Sequence, residues 1–68
     1  MNVFVVVDPA GNAVAVAVAP GLAKSKLVSD VLRDGHQPLS IGEIDKDIAI
    51  FDREFRPAGY QVLMYRAR

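Results

Sequence analysis

The side chains of this chain that could do chemistry fall mostly in its second half. His36 is the only histidine; Glu43, Asp45, Asp47 and Asp52 crowd into the stretch EIDKDIAIFD; Arg53, Arg56, Tyr60, Tyr65, Arg66 and Arg68 follow with little acid between them. A histidine works as a general base only with a partner to orient it and a proton within reach. Gly35, Gln37 and Pro38 supply neither. Beside a glycine that ends a helix, His36 reads as a loop residue near the last helical carbonyls. The carboxylates could in principle hold calcium. A calcium loop, however, sets oxygen ligands at alternate positions around a glycine, and Ile48, Ala49 and Ile50 stand there instead. The acids read as charges guarding the entry to an exposed strand.

The arginine and tyrosine set has two chemistries open to it. Aromatic rings can stack on bases while arginines hold phosphates, and the same residue types anchor protein–protein contacts. The net charge is zero, so long-range attraction to a polyanion is weak. Arg53, Arg56, Tyr60, Tyr65 and Arg66 are therefore expected to contact a protein, with nucleic-acid binding by the same surface as the alternative. Cysteine is absent, which excludes disulfides and thiolate metal sites. Ser25, Ser29 and Ser40 lie in no G-x-S-x-G setting, and no phosphate-cradling glycine loop is present. A chain of 68 residues has little room for both a core and a pocket of ~300 Å³ or more. No enzyme, catalytic residue, metal or cofactor is expected.

These residues need elements to position them. Val3–Val7 is apolar on both faces, as a central strand would be. Asp8-Pro9-Ala10-Gly11-Asn12 is turn chemistry, and NAVAVAVAP then returns as an antiparallel strand that Pro20-Gly21 ends. From Leu22 to Asp34 the period changes, with Ala23, Leu27, Val28, Val31 and Leu32 on one helical face. Gly35 suits the position just past that helix. Residues 36–46 are a connecting stretch in which Ser40 could cap one helical turn, with Glu43 at the capping-box spacing. DIAIFD, residues 47–52, reads as a third strand, Pro57-Ala58-Gly59 as a second turn and residues 60–66 as a fourth strand. The tripeptide Pro-Ala-Gly thus recurs, as good turn chemistry used twice. The expected fold is a single α+β domain over residues 1–68: a four-stranded, mostly antiparallel sheet with one helix on one face, in ββαββ order.

One short helix covers only one face of such a sheet, yet three of the strands show no polar face. In NAVAVAVAP, Val14, Val16 and Val18 alternate with Ala13, Ala15, Ala17 and Ala19. Either the helix lies over the alanines and the valines seek a partner, or the reverse. A second layer must come from elsewhere, most simply from a second copy. Ala13, Ala15 and Ala17 join the arginines and tyrosines as candidate contact residues. Charge is uneven: residues 1–52 carry four basic against seven acidic side chains, residues 53–68 four against one. No segment reaches the ~18–20 apolar residues of a membrane span, and Met1-Asn2-Val3-Phe4 lacks a signal peptide's basic start. The reading from sequence is a small, cytoplasmic, non-enzymatic interaction protein that dimerises through a sheet face or edge and binds another protein. Its size and richness in valine, alanine and arginine fit accessory, regulatory or inhibitor proteins of bacteria or phages.

Overall fold

The first hairpin forms where turn chemistry places it. In a computed structural model describing residues 1–66, β1 (Asn2–Val7) pairs antiparallel with β2 (Ala13–Ala17). The Asp8 carboxylate accepts the backbone N–H groups of Ala10 and Asn12, at 3.0 and 2.8 Å, and Gly11 takes the positive φ the turn requires. The Asn12 N–H, more than any other group, holds the Asp8 carboxyl below its usual range. The ladder slips between Val6 and Val7, so Val14 is the extra residue of a bulge and packs against the core rather than beside Val16.

Pro20, which stops the strand, also begins the helix: α1 spans Pro20–Leu32 with proline in its first turn, where a missing N–H costs nothing. It ends before the expected Asp34. Arg33 is the cap, Asp34 and Gly35 both take positive φ, and the Gly35 N–H bonds the Ser29 carbonyl at 2.9 Å.

The expected third strand, the four-stranded sheet and the single helix do not survive, while the strand expected at residues 60–66 is present as Gln61–Arg66. The expected strand at residues 47–52 is helical: α2 runs Ile41–Ile50 and continues as a π-helical turn over Phe51–Phe55. The capping box seen in the sequence starts this helix. Ser40 accepts the Glu43 N–H at 3.2 Å, and the Glu43 carboxylate accepts the Leu39 N–H. Ile44, Asp47, Ile48, Phe51 and Phe55 then lie along one side at helical spacing. Their stripe is disguised because a carboxylate occupies one of its positions, so Ile48–Phe51 imitates a strand's alternation. The second Pro-Ala-Gly turn leads from helix to strand, not from strand to strand. It nevertheless packs beside the first: a side chain at Gly59 would stand 3.1 Å from Pro9 Cβ.

β3 (Gln61–Arg66) pairs antiparallel with β1 on the side away from β2, giving a three-stranded sheet in the order β2-β1-β3 and an element order ββααβ. Helix α1 lies on β1 and β2, α2 packs on α1, and β3 is touched by α1 only at its margin. The core between them consists of Val6, Ala15, Ala23, Leu27, Val28 and Phe51, flanked by Phe4, Ala17, Phe55, Tyr60 and Val62. Among the described residues no helix is long and apolar enough to cross a membrane.

Candidate functional site

Ladder partners share a face, so the register sorts every strand residue. Phe4 and Val6 stand beside Ala17 and Ala15 on one flank and beside Met64 and Val62 on the other; this is the side α1 covers. Val3, Val5 and Val7 stand beside Val16 and Ala13 of β2 and beside Tyr65, Leu63 and Gln61 of β3. No element of the described chain lies over that second side. It presents seven apolar side chains and one amide, with no charge.

The alternating strand is thereby resolved. Ala15 is 4% exposed beneath α1, and Ala17 packs against the core, whereas Val16 is 51% exposed on the open side. The small methyl groups let the helix approach closely; the bulge turns Val14 to the core, and Val16 is left outward. Of the alanines singled out in the sequence, only Ala13 lies with the uncovered residues, at the hairpin end.

Strand β3 is open in a further direction. Among the described residues its outer edge has no neighbour, and it is exposed on both sides: Leu63 36% and Tyr65 55% on the open face, Met64 60% on the helix face. Met64 escapes cover because α1 sits over β1 and β2. The sequence shows these apolar residues plainly. That they lie on an edge strand follows only from the absence of a fourth strand.

The arginines and tyrosines are not gathered on one surface. Arg56 shares the Asp52 carboxylate with Lys24, at 3.2 and 2.8 Å. Bonding from Lys24 first, and from Arg56 second among the favourable contacts, holds Asp52 below its usual range. Arg53 lies 3.8 Å from Glu54 in an exposed pair. Tyr60 packs edge-on against Phe55 with ring centres 5.3 Å apart. Tyr65 faces the open side of the sheet, and Arg66, two positions beyond Met64, faces the other. Arg68 lies outside the described residues.

The acids are likewise dispersed, and among the described residues no three His, Asp or Glu side chains are placed to hold a metal ion. Asp47 is buried between α1 and α2. Its carboxylate accepts Ser25 Oγ–H at 2.7 Å and both terminal nitrogens of Arg33 at 2.8 and 2.7 Å, while Arg33 also donates to Ser29 Oγ at 2.6 Å. Bonding from Arg33 holds Asp47 well ionised against its burial, and the same pairing raises the arginine. This joint, which the sequence reading missed, explains why α1 buries Ser25 and Ser29 and leaves Val31 and Leu32 exposed. No local pattern announces it, because its partners are 14 and 22 residues apart. His36 is exposed and, with Arg33, Gln37, Leu39 and Glu43, borders a depression of about 460 Å³. Leu39 is 92% exposed there, so the depression is a shallow one.

Compared with protein families, curated proteins and solved structures, the chain matches none.

Proposed function

We propose that this chain is a small, non-enzymatic interaction protein that self-associates through its sheet and acts by binding another protein. The observation that carries the reading is the uncovered sheet face, where Val3, Val5, Val7, Val16, Leu63 and Tyr65 meet no second layer. Water contact with apolar surface is unfavourable by ~25 cal/mol per Å², and a contiguous patch of this kind is more often a contact site than scattered surface residues are. The face carries no charge, and the whole chain has a net charge of zero. A matching surface must therefore be apolar, and two copies do not repel one another. The lack of cysteine is compatible with a reducing, intracellular setting.

Sedimentation velocity over micromolar to several-hundred-micromolar protein tests the self-association. A concentration-dependent dimer is expected, and Leu63→Lys, which sets a charge at the centre of β3, should return a folded monomer. A monomer for the unaltered chain across the whole range refutes the reading.

A further inference from the structure

The two edges of the sheet are built differently. The β2 edge is five residues long, carries the bulge at Val14 and has α1 packed on one of its faces. Bulges, shortness and cover are the devices that stop an edge from pairing. The β3 edge has none of them. It offers six consecutive residues with no proline, no bulge and no charge before Arg66, and its side chains are exposed on both faces. Met64 is decisive, because it lies on the helix face, where a layer packed on the open face could not reach it.

We infer that β3 pairs antiparallel with β3 of a second copy, joining two three-stranded sheets into one six-stranded sheet. The inference rests on the self-association proposed above and names its geometry. A two-fold axis perpendicular to the sheet keeps the helices of both copies on one side, and it requires directly opposed residues to share a face. Two central registers satisfy that condition. Centring on Met64 sets Val62 against Arg66 of the second copy, a charge beside a half-buried apolar side chain. Centring on Leu63 sets Leu63 against itself, Val62 against Met64 and Gln61 against Tyr65, and it leaves both arginines beyond the paired segment. The second register covers Met64 and buries no charge. Because the short, bulged β2 edge is the poorer template, pairing at β3 uses the one regular edge and stops at two chains instead of running on as a ribbon.

Area points the same way. Three strands ~4.8 Å apart and ~6 residues long at ~3.3 Å per residue present roughly 300 Å² in plan. Stable interfaces take ~600–1,000 Å² from each partner, so one copy's open face, at about half the lower bound, is too small to hold a protein alone. The paired sheet doubles it, to roughly 600 Å² of continuous uncharged surface, all on the side away from the helices. Dimerisation by the edge therefore builds the surface that the proposed protein partner would use.

A cysteine-free chain makes the test direct. In the Leu63 register the two Leu63 Cα atoms stand ~4.5–5.5 Å apart, inside the range a disulfide spans, whereas residues on sheets packed face to face are ~10 Å apart and beyond it. Leu63→Cys oxidised with diamide should give a covalent dimer nearly quantitatively, with Val16→Cys, exposed on the same face but two strands away, giving little. The double variant Gln61→Cys/Tyr65→Cys should cross-link equally well, since residues 61 and 65 of one chain are ~13 Å apart and cannot bridge; it also decides the matter if Leu63→Cys fails to fold by circular dichroism. A sedimenting dimer with no cross-link at either site overturns the edge pairing and leaves self-association standing. Equal cross-linking at Val16→Cys overturns it as collision, and a chain that stays monomeric and uncross-linked overturns both.

Discussion

Ala15 and Val16 are neighbours in sequence and stand on opposite sides of the sheet, so the same substitution at each should have opposite consequences. Ala15 is 4% exposed, against Val6 and beneath Ala23, Leu27 and Val28, and no carboxylate lies among those core residues. A lysine there leaves an uncompensated charge in the core, at ~3–5 kcal/mol or more, or pushes α1 off the sheet. At ~0.05–0.15 kcal/mol per residue a domain of this size has only ~3–10 kcal/mol in all. Ala15→Lys should therefore lose its cooperative unfolding transition. Val16 is half exposed already, and burying a whole valine contributes ~1.5–3 kcal/mol at most. Val16→Lys should thus cost about 1 kcal/mol or less, its aliphatic stem lying along the face with the amine in water. Urea denaturation followed by far-ultraviolet circular dichroism measures both. An Ala15→Lys chain within about 1 kcal/mol of the unaltered protein would refute the assignment of faces, and with it the identity of the open surface.

Three further outcomes are expected. Asp47→Ala should cost ~3–5 kcal/mol in the same urea assay, because Arg33 and Ser25 lose their acceptor inside the α1–α2 joint, whereas Asp47→Leu with Arg33→Met should recover much of that loss. The Asp47 carboxyl is held below its ordinary value of 3.8, so the unfolded chain binds the proton more readily. Its contribution is whole above about pH 4 and is lost as acid carries the pH through the lowered value, and Asp47→Asn should flatten the acid limb of a stability–pH profile. Gly59→Ala should destabilise more than Gly11→Ala. Both glycines hold positive φ, but a methyl at Gly59 meets Pro9 at 3.1 Å while one at Gly11 meets nothing within 4 Å, a contrast readable as a difference in melting temperature.

Local chemistry was legible where it acted alone. The Asp8–Asn12 turn, the first hairpin and the Ser40 cap on Glu43 all depend on residues within a few positions of one another, and each appears where the sequence places it. The error at residues 47–52 arose where the tertiary fold overrides the pattern. A buried aspartate is tolerated at Asp47 only because Arg33 and Ser25 arrive from α1 to satisfy it, with Ser29 accepting from Arg33 behind them, and nothing within the segment reveals that they will. Read without them, Asp47 looks like a solvated residue, and the helical stripe breaks into a short alternating run.

The surface argument divides similarly. The sequence shows strands without a polar face, but the expectation of an uncovered side counted one helix against four strands. The structure reaches an open side with three strands and two helices, because the second helix packs on the first and not on the sheet. Which side is left open, and which edge, depended on long-range packing. Alanines draw α1 down onto Ala15 and Ala17 because a methyl group admits close approach. The conversion of an expected strand into α2 then removes the neighbour that would have closed the edge of β3. The Ala–Val strand shows no polar face in the sequence, and the three-dimensional arrangement decides that its own helix covers Ala15 and Ala17, that the bulge turns Val14 to the core, and that Val16 stays on the open side.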